Sequence, residues 1–258
     1  MRESIDRLKA DPRRMRPLSL IPHGGKIYSQ NEEDGMIREI FRRIGVVHHT
    51  FVEFGVGDGL ENNTLALLFE GWKGLWIEGS DESAARIRTG FSRAIANGSL
   101  RLTQAFITRD NINDLIGPHF QGEIDLLSVD IDGNDYHVFE AITCIRPRVV
   151  VMEYNAKFPP HLRLNMQYDA GHMWNTDDCM GASLKFLEEG LARHGYVLVG
   201  CDLIGANAFF VRNDLVEGRF LAPFTAENHY EAPKYHLAAL KTGHKSSYKA
   251  LERMLPPD

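Results

Sequence analysis

The sequence has no excess of positive charge, few cysteines and no long hydrophobic run. Its 258 residues include 29 Lys and Arg against 35 Asp and Glu, a formal net charge of −6. Nucleic-acid-binding domains usually carry a basic excess, so we expect no nucleic-acid partner. The cysteines (Cys144, Cys179 and Cys201) are far apart and form no C-x-x-C pair, which argues against a zinc cluster or a disulfide framework. No apolar stretch approaches the roughly 20 residues that cross a bilayer, so we expect no membrane association.

The N-terminal region is basic but lacks the apolar core of a secretory signal. Together with the isolated cysteines, which are typical of a reducing compartment, this predicts a cytoplasmic protein. We divide the chain into a polar arm (1–27), one α/β domain (28–215) and a helical extension (216–258). Leu237, Leu240, Tyr248 and Leu251 follow a broadly helical pattern in that extension, which packs either on its own domain or on a second copy in a homo-oligomer.

The middle of the chain alternates β-prone and amphipathic segments. The predicted strands cover about 50–54, 74–78, 100–107, 124–130, 148–154, 196–201 and 206–211, and the predicted helices about 32–45, 60–69, 83–95 and 183–194. This alternation implies right-handed crossovers and a doubly wound α/β sheet. The last two strands form a closing pair, which fits a mostly parallel, seven-stranded Rossmann-like sheet. The long stretch 157–180 reads as an insertion that serves a substrate site.

A glycine-rich loop follows the first predicted strand directly. Its sequence is Glu53-Phe54-Gly55-Val56-Gly57-Asp58-Gly59. Glycines let the backbone turn tightly and approach a ligand, and the helix that follows offers free N–H groups. A dinucleotide fingerprint would need a third glycine at Leu60, so that spacing fails. The loop therefore favours a different nucleoside cofactor over a nicotinamide dinucleotide, with a plain tight turn as the structural alternative.

An acid and an aromatic residue follow the next two predicted strands. Glu78 ends the second strand, 25 residues after Glu53. An acid at this place can accept hydrogen bonds from the ribose hydroxyls of a nucleoside cofactor. Phe106, after the third strand, could supply one wall of an adenine slot or could belong to the core. These two residues strengthen the prediction of nucleoside binding.

Acidic residues also follow the fourth and fifth predicted strands. Asp130 and Asp132 lie in the turn after the fourth strand, and Glu153 and Asn155 close the fifth. Ligands of open α/β sheets bind at the carboxyl ends of strands. The acidic turn could bind a cation, orient a substrate or cap the next helix. If the two strands are neighbours, Asp130, Glu153 and Asn155 could converge on Mg²⁺ or Mn²⁺, with metal-free hydrogen bonding to a substrate as the alternative.

Three segments together resemble the FkbM-like methyltransferases, a class I group often found in polysaccharide and antibiotic-sugar tailoring. They are Tyr28–Gly35, the Glu53–Thr64 loop and Ser128–Tyr136, and the resemblance covers roughly residues 28–155. Many members carry an acid-Val-Glu-Gly run after the fourth strand, where this chain has Asp130-Ile131-Asp132-Gly133-Asn134. This departure leaves the substrate and the metal open.

The resemblance implies S-adenosylmethionine as methyl donor. The glycine loop with its leading acid Glu53 corresponds to the first cofactor motif of that class. Gly55 and Gly57 would contact the methionine part, Glu78 the ribose, and Asp130 would lie beside the amino group. Gln30 and Asp34 would close over the cofactor from the N-terminal side.

We therefore predict an S-adenosylmethionine-dependent methyltransferase that O-methylates a sugar or sugar-like metabolite, as a small molecule or a glycan, with or without a divalent metal. Asp130, Asp132 and Glu153 are the predicted catalytic residues, binding the acceptor or its metal, and His137, His161 and His172 are candidate bases or structural residues. The alternatives are N-methylation of a small amine, phosphorylated or not, a nicotinamide-dependent oxidoreductase, and a non-catalytic nucleoside-binding module.

Overall fold

The computed structural model describes residues 2–238 and 248, and its centre is one seven-stranded sheet. The strands are β1 (Thr50–Phe54), β2 (Lys73–Glu78), β3 (Leu100–Gln104), β4 (Gly122–Val129), β5 (Ile145–Glu153), β6 (Tyr196–Cys201) and β7 (Asn207–Arg212). Their order is β3-β2-β1-β4-β5-β7-β6. β1 to β5 pair in parallel, and β7 pairs antiparallel with both β5 and β6. The predicted doubly wound, mostly parallel, seven-stranded Rossmann-like sheet is confirmed.

Asp202 sets the turn that inserts β7 between β5 and β6. Its carboxylate accepts hydrogen bonds from the backbone N–H groups of Ile204, Ala206 and Asn207, at 3.0, 2.8 and 2.7 Å. These bonds reverse the chain sharply, so that β7 returns against β5. As a result the start of β7 lies opposite the end of β5, where Asn207 pairs with Glu153.

Helices cover both faces of the sheet. They are α1 (Arg2–Lys9), α2 (Glu33–Ile44), α3 (Leu65–Phe69), α4 (Asp81–Gly90), α5 (Ser92–Ala96), α6 (Ile112–Ile116), α7 (Asp135–Ala141), α8 (Leu184–Arg193), α9 (Ala226–His229) and α10 (Tyr235–Ala238), with 3-10 turns at Ile21–His23 and Asn213–Leu215. One apolar core joins the sheet to α2, α3 and α4, and the other joins it to α6, α7 and α8. Successive residues of a strand enter opposite cores, as Phe51 and Val52 do.

Two predicted helices differ from the observed ones because their side chains make tertiary contacts. The helix predicted at 60–69 starts only at Leu65, since Asn63 and Thr64 are held by Glu53. The helix predicted at 83–95 is split into α4 and α5 at Phe91, whose ring packs edge-on against Trp76 with centroids 4.9 Å apart. The third strand ends before the predicted residue 107, because β2, its partner, ends at Glu78.

The N-terminal arm is packed on the domain and is not simply solvated. Leu20 and Ile21 are buried, and Arg14 pairs with the buried Glu231, with Nη2 and Oε2 2.7 Å apart. In the C-terminal extension, the described part contains the short helices α9 and α10, while Leu240 and Leu251 of the predicted pattern lie outside the described residues. No helix within residues 2–238 has the length and apolar character that spanning a bilayer requires.

Candidate functional site

A cavity of about 1070 Å³ opens at the carboxyl ends of β1, β2, β4 and β5. These ends meet because parallel strands run in the same direction, and the cavity lies at the switch in strand order between β1 and β4. Seven of the eight residues predicted to bind the cofactor line it: Gln30, Glu53, Gly55, Gly57, Glu78, Phe106 and Asp130. Asp132 and Glu153, the other two predicted catalytic residues, line it as well.

The glycines of the loop have different physical roles. Gly55 has φ +68°, and a Cβ there would collide with the carbonyl oxygen of Asp130. Glycine at this position therefore lets the ends of β1 and β4 approach. Gly57 has φ +55°, but a Cβ there would meet no atom of the described residues within 4 Å. Its open side leaves room for a ligand against the backbone.

Glu78 is held at the end of β2 by two backbone groups. Gly57 N–H donates to Oε2 at 2.9 Å, and Ser80 N–H donates to Oε1 at 2.8 Å. The carboxylate is therefore fixed against the glycine loop at the cavity wall. Each oxygen keeps a lone pair for a further donor, as two vicinal hydroxyls would require.

Glu53 lies beneath the glycine loop and holds the segment that follows it. Its Oε1 accepts from Asn63 N–H at 2.8 Å, and its Oε2 accepts from the Thr64 hydroxyl at 2.5 Å. Burial raises the pKa of Glu53 to about 7. The neighbouring Asn62 is 6% exposed and lines the cavity, and its Nδ2 has no hydrogen-bond partner among the described residues. The cavity wall thus offers the amide N–H groups of Asn62 as a donor for a ligand, whereas the carboxylate of Glu53 is occupied by hydrogen bonds within the protein.

Asp130, Asp132 and Glu153 form an acidic cluster in which one carboxylate oxygen of each lies within 4.8 Å of the others. Burial, then repulsion from neighbouring carboxylates, raises the pKa of Asp130 and that of Glu153 well above the ordinary range. Burial also raises the pKa of Asp132. Asp135 closes this turn, accepting from the N–H groups of Ile131 and Gly133 at 2.8 Å each. Such a cluster favours positively charged or proton-donating partners.

Two predicted site residues are placed elsewhere. Asn155 does not line the cavity: its Nδ2 donates to the carbonyls of Asp178 and Met180, at 3.0 and 3.1 Å, and holds the end of the 157–180 loop. Asp132 thus stands in the cluster where Asn155 was expected. Asp34 does not line the cavity either, and its Oδ2 accepts hydrogen bonds from the backbone N–H groups of three successive residues, Ile27 to Ser29. It shapes the segment that carries Gln30.

Among the candidate bases, only His172 lines the cavity. Its Nε2 lies 3.1 Å from the carbonyl oxygen of Asp132, and Nε2 of His137 lies 2.9 Å from that of Met166. Both rings join the 157–180 loop to the elements beneath it. His161 is exposed and away from the cavity.

The structure also brings in residues that the sequence did not single out: Asn31, Asn62, Met173, Trp174, Asn207 and Tyr235 all line the cavity. The two Asn residues at 31 and 62 lie inside segments already noted, and Met173 and Trp174 lie in the predicted substrate loop. Asn207 has no local signal, because it reaches the site only through the antiparallel return of β7.

No family model and no curated protein matches the sequence, so the resemblance to FkbM-like methyltransferases stays a prediction. Among solved structures, an O-methyltransferase from Bacillus cereus in complex with SAH is similar, at 16% identity over 81% of this chain and 87% of that chain, with a TM-score of 0.45. The glycopeptide N-methyltransferase MtfA complexed with S-adenosyl-L-methionine has 16% identity over 74% and 98%, and a TM-score of 0.42. A human methyltransferase 10 domain containing protein has 11% identity over 69% and 80%, and a TM-score of 0.43. At such identities nothing about substrate or chemistry follows for this chain.

Proposed function

We propose that this protein is an S-adenosylmethionine-dependent methyltransferase. The observation that carries the proposal is the placement of Glu78, bonded to Gly57 of the glycine loop at the end of β2, in a sheet of the class I strand order. In this position the carboxylate can accept both ribose hydroxyls of a nucleoside seated on the loop.

The cavity fits this cofactor in three respects. Gly57 leaves the space that a Cβ would fill, so that a ligand can lie against the backbone. Asn62 Nδ2 offers an unpaired donor that suits the carboxylate of the methionine part. The volume of about 1070 Å³ is at the upper end for ligand pockets and leaves room for a second molecule.

The second molecule belongs at the other end of the cavity. β2 and β5 are separated by three strand spacings, about 14 Å, so Glu78 and Glu153 mark opposite ends. The nucleoside lies over β1 and β2 in this proposal, and the methyl acceptor lies over β4, β5 and β7. Phe106 lines the nucleoside half, consistent with a wall for adenine.

The bound cofactor supplies an electrophilic methyl group, and the chain positions the acceptor and receives its proton. When bound, the cofactor would release its methyl group by cleavage of the carbon–sulfur bond as the acceptor oxygen attacks, and a carboxylate of the chain would take up the hydroxyl proton. Asp130, Asp132 and Glu153 are suited to that role, because raised pKa values bring carboxylates closer to the range of effective general bases at neutral pH. Alignment of the two reactants supplies much of the remaining rate.

We further propose that the acceptor is a sugar or sugar-like metabolite, free or within a glycan, and is methylated on oxygen. Hydroxyl groups donate hydrogen bonds to carboxylates, and the acceptor half contains three carboxylates, those of Asp130, Asp132 and Glu153. Asn31 and Asn207 add amide groups to the same wall. A site with this composition suits a molecule with several hydroxyl groups.

A divalent metal is the alternative partner of the acidic cluster. Mg²⁺ or Mn²⁺ prefers carboxylate and amide oxygens, and Asp130, Asp132 and Glu153 can each offer one. The metal would lower the pKa of the acceptor hydroxyl as a Lewis acid. Electron paramagnetic resonance of Mn²⁺ titrated with the protein tests this version. Absence of bound Mn²⁺, with and without SAH, would exclude it.

The test of the main proposal is calorimetric titration with S-adenosylmethionine, SAH and NAD. We expect both adenosyl compounds to bind and NAD not to bind. Glu78→Ala should weaken SAH binding by at least about tenfold, because each lost charge-assisted hydrogen bond contributes about 1.5–3 kcal/mol. Glu82→Ala is the matched control, since this acid is exposed on α4 and pairs with Arg86 on the same helix. NAD binding alone, or equal effects of the two variants, would refute the cofactor assignment.

A further inference from the structure

The described residues of the acceptor half of the cavity include acids but no Lys or Arg side chain. Seven Asp or Glu residues line the cavity, and none of the described lining residues is Lys or Arg. Lys26, which pairs with Glu61, is not among the lining residues. Three of the acids form the cluster of Asp130, Asp132 and Glu153. An anionic acceptor, with a phosphate or a carboxylate, would find no cationic side chain among the described lining residues, and its charge would be disfavoured beside these acids.

Buried amide oxygens without partners point to a hydrogen-bond donor in the same place. The Nδ2 groups of Asn31 and Asn207 both donate to Glu33 Oε1, at 3.0 and 2.9 Å. Each amide oxygen therefore turns away from Glu33, and neither has a partner among the described residues. Asn31 and Asn207 are 5% and 3% exposed and both line the cavity. Glu153, opposite Asn207 in the sheet, also has an unpaired oxygen, Oε2.

The rim above the acids is apolar and aromatic. Met173 and Trp174 line the cavity yet are 78% and 44% exposed. The indole N–H of Trp174 donates to the Asp177 carbonyl at 2.8 Å, and within the described chain its ring stacks on no other aromatic side chain. A half-exposed indole ring held by its N–H group is suited to contact a cation or the apolar face of a sugar.

The rim loop is fastened to the acidic turn. His172, which precedes Met173 and Trp174, contacts the Asp132 carbonyl, and Asn134 Nδ2 donates to the Asp169 carbonyl at 2.7 Å. A Cβ on Gly133 would collide with the His172 ring, so the loop and the turn are in close contact. The aromatic rim and the acids therefore belong to one binding surface.

We propose that the methyl acceptor carries a protonated amine and no phosphate or carboxylate. The ammonium group binds between the indole face of Trp174 and the carboxylates of Asp132 and Glu153. The amide oxygens of Asn31 and Asn207, oriented by the positioning residue Glu33, accept from it as well. The amine anchors the acceptor, and a hydroxyl receives the methyl group. This proposal rests on the proposed methyltransferase function, because it names the class of acceptor for that site.

The test uses three probes in the presence of SAH: glucosamine, glucose and glucosamine 6-phosphate, in a buffer that keeps the amine protonated. Trp174 is half-exposed whereas Trp72 and Trp76 are buried, so tryptophan emission reports on this rim. We expect glucosamine to change the emission and to bind in calorimetry, and glucose and the phosphate to bind at least about tenfold more weakly. Equal affinities for glucosamine and glucose, or no binding of glucosamine, would overturn the proposal.

Variants separate recognition from folding. Asp132→Asn should weaken glucosamine binding about tenfold with SAH binding unchanged, since Asn tolerates the positive φ of Asp132 (+56°). Asp110→Asn, an exposed acid outside the cavity, is the matched control. Asn31→Ala and Glu33→Gln should weaken the binding of glucosamine and leave the binding of SAH unchanged. Tight Mn²⁺ binding that Asp132→Asn abolishes would overturn the amine assignment and give the cluster to a metal. If the unmodified protein does not bind SAH, the proposed methyltransferase function itself is refuted.

Discussion

Gly55 and Gly57 provide a matched pair for measuring what close approach of β1 and β4 contributes to stability. Both residues have positive φ, +68° and +55°, so alanine at either position adopts a disfavoured backbone conformation that costs about 1–2 kcal/mol. At Gly57 the new Cβ meets no atom of the described part of the chain within 4 Å, so we expect no further cost there. At Gly55 the Cβ collides with the carbonyl of Asp130, and relief requires the strand ends to separate.

Overpacking of this kind costs a further 1–3 kcal/mol or so, which brings Gly55→Ala to about 3 kcal/mol or more. For a chain of this size about 1 kcal/mol lowers Tm by roughly 2–4 °C. We therefore expect Gly57→Ala to unfold only a few degrees below the unmodified protein, and Gly55→Ala about 10 °C below. Urea denaturation followed by circular dichroism measures both free energies.

The two variants should also differ in their effect on the cofactor. Gly57→Ala places a methyl group in the open space against the loop and should weaken SAH binding with little loss of stability. The main effect of Gly55→Ala should instead be a lower free energy of unfolding. Equal unfolding free energies for the two variants would contradict the contact between Gly55 and Asp130, and unimpaired SAH binding by Gly57→Ala would contradict the seating of the ligand on the loop.

Three further predictions concern charge and loop anchoring. The pKa of buried Glu53 is raised to about 7 and that of Asp135 to about 6, above their ordinary 4.5 and 3.8, so the folded state holds more protons. The contribution of these two groups to the unfolding free energy is therefore complete below about pH 4 and is lost as the pH rises through 7. Urea titrations at a series of pH values should show the unfolding free energy falling over this range, and Glu53→Gln should reduce the fall. Asn155→Ala should expose the 157–180 loop to proteolysis while SAH binding persists. Arg148→Met should cost about 3–5 kcal/mol in denaturant unfolding, because it leaves the buried Asp125 unpaired; a cost near zero would exclude a structural role for this pair.

Much of the fold could be read from local sequence, because strands buried on both faces are short apolar runs between glycines and polar turns. β1 was predicted to the residue, and β2, β4 and β5 to within three residues at each end. The glycine loop and Glu78 were recognisable for the same reason, since both depend on residues adjacent to a strand end. The resemblance of these segments to a known family added the predicted cofactor and the predicted roles of Gln30, Asp34 and Asp130 around it.

Tertiary contacts decided what local sequence could not. The late start of α3 depends on Glu53, and the break after α4 depends on the packing of Phe91 against Trp76. Neither contact has a signal within the helices themselves. The same holds for the arm, whose Arg14 meets Glu231 from the far end of the chain.

The acidic cluster shows where the two sources of information divide. Sequence alone placed Asp130 and Glu153 at strand ends, because the end of a buried apolar run is visible in the residue order. Only the folded chain showed that Asp132 joins them while Asn155 turns to the loop, and that Asn207 arrives from β7. Side-chain direction after a strand end depends on which backbone groups need partners, and antiparallel insertion joins residues far apart in sequence. The sequence therefore determined the sheet and the end of the cavity that carries the glycine loop and Glu78, whereas the tertiary structure decided the composition of the end that carries the acidic cluster.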